Sequence, residues 1–351
     1  NKRKFNFKTN LFGTNSPRLS DKKGFRGQIQ LSELRGKFRF QLFWTGIDKY
    51  YNQNELGFFN LKNAQSFRSL IRYRIEKENK ILRSYSNYLS ISQRHRFDSF
   101  LRTGGGWRFG NDFVIQNLTT FEIDFDYTGS NRDFYEPRTE DRYLVEPANY
   151  GVKAGFQTNS NNTFSYGIEY EISKYKNKQF DENKSDKRFQ VDTKYRLSNK
   201  VTISASSQSE NTVDDVGYLQ RKNGEIHFGI RDVKSFENTI DLTYNIDNYK
   251  YLSLRFRNFW SSANYDQVLY KLLDDGKREL TDYNLLTRDP NTNFNLWNLD
   301  LKFDWWFSPG STITLQYKNQ IFNRDNQSGL DYYKSLKDLF GMPIEHQLSL
   351  R

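Results

Sequence analysis

Residues 297–317 read WNLDLKFDWWFSPGSTITLQY. Trp297, Leu299, Leu301, Phe303 and Trp305 share one parity, and Asn298, Asp300, Lys302 and Asp304 the other. After Ser308-Pro309-Gly310 the alternation resumes, with Ile313, Leu315 and Tyr317 against Thr312, Thr314, Gln316 and Lys318. Successive strand side chains point to opposite faces, and Pro-Gly favours a tight turn. The stretch is therefore a β-hairpin with one apolar and one polar face.

The same unit recurs in both directions. About eighteen strand-like segments run from 2–9 to 345–351. The cleanest is 119–129, where Phe121, Ile123, Phe125 and Tyr127 alternate with Glu122, Asp124 and Asp126. Towards the C-terminus the segments are 201–210, 213–221, 225–233, 237–246 and 249–260. Tight turns largely alternate with long loops, notably 130–147, 261–291 and 323–343, and 266–273 reads as a short helix. Traced back from the C-terminus, the tight turns fall on one rim with few exceptions.

Composition decides which solvent each face meets. Aromatic residues make up 17% of the 351, yet all hydrophobic residues make up only 36%, and a single Met is present. A soluble core of this length draws more on Leu, Val, Ala and Met. No apolar run approaches the ~18 residues of a membrane-spanning helix, but a transmembrane barrel needs only segments of about 10 alternating residues. In a soluble sandwich the apolar face is a shared core. In a membrane barrel lipid takes that face and the lumen takes the charges. The expectation is an all-β fold: one transmembrane antiparallel barrel over 1–351, of about 18 strands with 16 as the next choice. Its short turns are periplasmic and its long loops extracellular. No repeat of fixed length supports a propeller or solenoid.

Several function classes fall away. The net charge of +11 comes from Lys and Arg spread evenly among 42 acidic residues, without a basic arm, so nucleic acid is not an expected partner. The absence of Cys removes thiol chemistry and disulfides. Asn1-Lys2-Arg3-Lys4 leads directly into a strand pattern without an initiator Met, which implies a mature or trimmed chain whose last strand is incomplete.

Two short motifs carry a resemblance. Asn54-Glu55-Leu56-Gly57-Phe58 resembles an Asn-Asp-Leu-Gly-Phe/Tyr signature, with Glu where Asp is expected, and Trp305-Trp306-Phe307-Ser308-Pro309-Gly310-Ser311 resembles a Trp-x-Phe-x-Pro-Gly-Ser motif. Together they resemble the C-terminal barrel of an uncharacterised Bacteroidota outer-membrane family that carries a carbohydrate-binding-module-like N-terminal domain. The resemblance implies a bacterial outer-membrane location, with that N-terminal domain missing here. It brings no catalytic residues.

The polar-face charges are the main functional feature. Basic members are Arg39, Arg68, Arg72, Arg74, Lys153, Lys194, Arg196, Arg231, Arg255, Arg257 and Lys318, and acidic members are Glu122, Asp124, Asp126, Glu169, Glu171, Asp192 and Asp241. They either line a lumen and select solutes by charge or pair across neighbouring strands and fill the interior. Trp44, Trp107, Trp260, Trp305 and Trp306 lie near strand ends, where amphipathic rings form membrane-interface belts. His95, His227 and His346 are far apart and lack a nucleophile elbow or metal-ligand spacing. Residues 181–186 alternate oxygen ligands but lack the turn Gly and closing Glu of a Ca²⁺ loop. No enzyme activity, catalytic residue, cofactor or metal is expected. The expected function is a channel or passive transporter for small or charged solutes. The alternative is a plugged barrel that anchors a carbohydrate-binding-like domain or a multiprotein complex. Outer-membrane lipid, lipopolysaccharide and an outer-membrane protein complex are the expected partners.

Overall fold

The computed structural model describes residues 5–14, 23–33, 35–51, 62–76, 79–176, 180 and 182–351. The strands are β1 (Phe5–Thr14), β2 (Gly24–Glu33), β3 (Phe38–Ile47), β4 (Ala64–Ile75), β5 (Leu82–Arg96), β6 (Arg102–Ile115), β7 (Thr120–Thr128), β8 (Asn131–Asp133), β9 (Leu144–Glu146) and β10 (Asn149–Gln157). They continue as β11 (Phe164–Tyr175), β12 (Ser185–Arg196), β13 (Val201–Lys222), β14 (Glu225–Asn245), β15 (Lys250–Leu272), β16 (Arg278–Thr281), β17 (Thr292–Ser308), β18 (Ser311–Asp325) and β19 (Ile344–Leu350). One helix, α1 (Tyr332–Leu339), stands between the last two.

Seventeen strands form one antiparallel sheet, and β8 pairs with β9 apart from it. The four-residue β16 pairs only with the far end of β15. The other sixteen form an unbroken meander in chain order, from β1 beside β2 to β18 beside β19. Among the described residues no pairing joins β19 to β1, so the sheet has two free edges.

Sixteen long strands replace the expected eighteen because two pairs of segments fuse. Segments 201–210 and 213–221 are one strand, β13, and 225–233 and 237–246 are one strand, β14. The apparent break in β13 is a register shift between Thr212 and Asp215, with Asp214 at φ 53°. A bulge switches parity and ends the alternation without ending the strand. The expected helix at 266–273 is likewise strand. β15 uses Tyr265 to Leu269 against only Arg231 to Gly229 of β14, and the extra residues imitate a helical period. The Gly104–Gly106 run lies inside β6, where a Cβ on Gly106 would meet the Tyr127 carbonyl oxygen at 2.1 Å. The Asn54–Phe58 motif lies outside the described residues.

The connections sort by rim. Seven, of two to six residues, share one end of the sheet: 34–37, 76–81, 116–119, 158–163, 197–200, 246–249 and 309–310. The opposite end carries the other eight, several of which run partly outside the described residues: 15–23, 48–63, 129–148, 176–184, 273–291 and 326–343, together with two short exceptions, 97–101 and 223–224. The second exception caps β13 and β14, which with β15 run 21 to 23 residues and rise above their neighbours.

The sheet is strongly curled. Asp141 pairs with Arg96 at the end of β5 (2.6 Å), and the adjacent Arg142 pairs with Asp274 just past β15 (2.5 Å). β15 lies eight strands from β5 in the meander, which in a flat sheet is on the order of 40 Å. Two residues whose Cα atoms are about 3.8 Å apart span that gap only if the sheet bends round towards itself.

The packed core sits above this wall. Ile226, Phe228, Ile230, Tyr270 and Leu272 of the upper β14–β15 ribbon pack with Leu144 of the 129–148 connection. The apolar face of the lower strands has no such cover. Phe67, Ile71, Phe121, Phe125, Ile168 and Ile240 are each about two-fifths exposed, at 39%, 42%, 42%, 40%, 40% and 45%.

Candidate functional site on the charged face

Strand register sets which charges meet. Side chains directly opposite on one face of an antiparallel pair lie within about 5 Å at Cβ, close enough for opposite charges to pair. Asp241 faces Arg255, Arg255 faces Asp300, and Asp300 faces Lys318 around β14, β15, β17 and β18. The Arg255–Asp241 contact is 2.5 Å, Asp300 lies 3.5 Å from Arg257, and Lys318 lies 3.9 Å from Asp300.

A second cluster spans β7 to β12. Lys153 lies 3.1 Å from Glu122 and 3.0 Å from Glu169. Arg188, which the sequence reading did not single out, bridges Glu169 and Glu171. Its even parity with Asp192, Lys194 and Arg196 was the available signal. Asp124 is almost fully buried and accepts a hydrogen bond from the Tyr88 hydroxyl at 2.9 Å. Gly110 faces it, where a Cβ would come within 2.1 Å of Asp124 Oδ1. Asp126 lies 3.9 Å from Arg108, another residue not singled out.

The remaining candidates are held locally. Arg39 donates from Nε to the Gly36 carbonyl, Arg74 pairs with Glu76, and Arg196 donates to the Asn161 carbonyl, all at the tight-turn rim. Asp192 accepts from Gln190, and Lys194 stands in register with Ser165 and Ser204. Arg231 lies higher, on the upper ribbon, and grips Asp215 at 2.8 Å and the Tyr265 hydroxyl at 2.9 Å. Lys184 closes on the same Asp215 at 2.8 Å. Burial opposes the Lys184 charge, but Asp215 outweighs it and holds the ammonium above its usual range. At the mouth, the Arg96 guanidinium holds the Asp98 carboxyl well below the usual carboxylate range.

The 129–148 connection crosses between opposite walls. Arg132 donates to the Arg102 carbonyl at the start of β6. Glu136 accepts from the Tyr218 backbone N–H, and Arg142 donates to the Leu272 and Leu273 carbonyls.

Trp107, Trp305 and Trp306 are exposed on the sheet, and Trp44 is half-buried, with Nε1 on Gln65. Trp260 differs from the expected exposed belt residue: it is 2% exposed, donates to Asn293 and lies under Tyr332 of α1. Helix α1 begins at Asp331, whose side chain caps the Lys334 N–H, and Ser335 joins the buried Asn293 and Asn295. It thus covers the upper part of the face that bears Trp297 and Phe256.

The histidines have separate surroundings. His95 stacks on Phe100, His346 meets the Tyr317 hydroxyl, and His227 is buried 3.8 Å from Glu225. In the 181–186 segment Glu182 grips Arg278 and Asp186 accepts from Tyr175, so those oxygens already have protein donors.

These features define a class: a curled, all-antiparallel sheet with an apolar outer face, a charged inner face and almost no helix. The chain belongs to the family described as a domain of unknown function, DUF5916, whose profile matches residues 1–351. No functionally curated protein matches it. Among solved structures it is similar to the FrpB iron transporter from Neisseria meningitidis (F3-3 variant), at 9% identity and TM-score 0.42. That match covers 92% of this chain and 62% of the transporter, so the chain spans less than two thirds of that protein's length.

Proposed function

We propose that the chain is a bacterial outer-membrane β-barrel of sixteen spanning strands that passes small or charged solutes through a mixed-charge lumen. The observation that carries this reading is the exposed aromatic and aliphatic face shared by strands from β1 to β19. Contiguous apolar surface on this scale marks contact with something other than water. The length of β7 and β10, nine residues each, suits a tilted transmembrane strand. Closure of β1 on β19 removes both free edges, as hydrocarbon requires. Tight turns then face the periplasm and long loops the outside. The apolar face meets lipid and lipopolysaccharide, and the charged face meets the solute. No enzyme activity, cofactor or nucleic acid enters this reading.

The crossing connection 129–148 acts as a constriction. Purified protein in planar bilayers should give discrete conductance steps, which increase when 134–143 is replaced by a short Gly-Ser linker. Absence of conduction in both forms would refute the channel. The same crossing segment favours a second reading, a plugged barrel that anchors a multiprotein complex or the carbohydrate-binding-like domain of the Bacteroidota family that the sequence motifs resemble. That reading expects no conductance in either form and recovery of a stable complex after gentle membrane extraction.

A further inference from the structure

The charges of the inner face are unevenly satisfied. On β7 to β12 most carboxylates have a close donor: Lys153 between Glu122 and Glu169, Arg188 on Glu169 and Glu171, and Tyr88 on Asp124, while Asp126 has only Arg108 at 3.9 Å. On β3 to β6 the face is mostly basic, apart from Asp112, and several of its cations lack a carboxylate partner. Among the described residues Arg39, Arg68, Arg72 and Arg94 make no ion pair, and Arg108 has only the 3.9 Å contact to Asp126. Arg39 and Arg72 stand directly opposite each other in register. Like charges so placed repel and destabilise the pair, which marks a site that gains by taking up an anion.

The guanidinium groups are arranged for that task. Arg68 lies over the Phe43 ring and donates from Nε to Ser90 at 3.0 Å, and Arg72 lies over the Tyr88 ring. Each is supported on one face by an aromatic ring, and among the described residues neither is in an ion pair. Ser90, Ser92 and Gly106 form a low floor between them, within an open recess of about 600 Å³. Arg94 and Arg108 border the same recess. Asp112, Glu122 and Asp126 line its far side. Lys153 pairs with Glu122, and Asp112 and Asp126 set against Arg68, Arg72, Arg94 and Arg108 still leave the recess positive. A guanidinium presents its donors as a planar fork that matches phosphate, sulfate or carboxylate oxygens two at a time.

We infer that the recess on β4–β6, with Arg68, Arg72, Arg94 and Arg108 at its edge and Arg39 beside it, binds a soluble solute that carries two or more oxyanion groups. The inference rests on the lumen reading only for the route by which the solute arrives; the binding itself needs no conduction.

The test separates the two. Titration calorimetry of the full chain in a neutral detergent with inorganic pyrophosphate should give saturable binding that weakens as salt is raised. The double variant Arg68→Gln/Arg72→Gln should lose at least 10-fold in affinity. Arg255→Gln, whose partner is Asp241, should stay within 2-fold of wild type. Arg39→Gln, exposed near the tight-turn rim, should weaken binding several-fold, and it serves if the double variant misfolds. No saturable binding to wild type, or equal loss in the double variant and in Arg255→Gln, overturns the inference. Binding without bilayer conductance would sustain the site and refute the channel, whereas conductance without pyrophosphate binding would do the reverse.

Discussion

The lower and upper halves of β13–β15 are made of the same strands in two different environments. Below, Ile240 and Tyr244 are 45% and 37% exposed. Above, on the same apolar parity of β14, Ile226, Phe228 and Ile230 are 3%, 0% and 5% exposed under Leu144. The change falls between the Thr212/Asp215 register shift and the Gly229/Arg231 shift, and helix α1 begins its cover of β15 and β17 near there. The same strands thus bury their apolar residues in one half and expose them in the other. On the proposed barrel reading, the upper half builds its own core because it stands in water, and the lower half has none because lipid supplies the cover.

The largest expected effect is in the upper half. Phe228→Ala empties a fully buried site and should cost about 3–5 kcal/mol in urea unfolding of the detergent-solubilised protein. Next comes Ile240→Arg in the lower half. In lipid vesicles it should cost about 2–4 kcal/mol, whereas on a water-facing strand it would stay within about 0.5 kcal/mol. Gly110→Ala acts on the charged face of the lower wall. Its Cβ would crowd Asp124 and the Tyr88 ring, with an expected cost of about 1–3 kcal/mol in the same unfolding assay and a shift in near-ultraviolet Tyr signals.

The smallest effect is at the mouth. The Asp98 carboxyl is held below its ordinary value of 3.8 by Arg96. Its contribution is therefore present above that value and lost as the pH falls through the lower, folded-state value. Lowering the pH past 3.8 should loosen the Arg96 clamp, raising hydrogen exchange in 97–101 and around Asp141. Asp98→Asn should flatten that pH dependence without altering exchange in the strands of the lower wall.

The hairpin at Trp297–Tyr317 was legible because its alternation runs unbroken on both sides of a Pro-Gly turn. Its register pairs Asp300 with Lys318 and Phe303 with Leu315, as the parity requires. The same rule gave β7 to within a residue at each end. It fails where bulges alter parity: alternation alone divides β13 and reads the far end of β15 as helix. It also missed α1, although Asp331 followed by Ser335 and Leu339 carries a cap and a helical spacing. The charged face was legible as a face, but its pairing was not. Which cation meets which carboxylate depends on strand register, and that depends on turns and bulges far along the chain. Thus Arg255 with Asp241 could be foreseen across one tight turn. The crossing of the mouth by Asp141 and Arg142 could not, since its partners Arg96 and Asp274 are separated by most of the meander.

The central claim is that one face of each lower strand meets lipid and the other meets water. The chain has no Cys, so single cysteines can be introduced on a silent background. A scan of positions 67–74 on β4, labelled with a membrane-impermeant maleimide in intact lipid vesicles, reads that claim directly. Cysteines at 68, 72 and 74 should label readily, while those at 67, 71 and 73 should label only after the vesicles are dissolved in denaturant. Equal labelling of the two sets in intact vesicles would contradict the account.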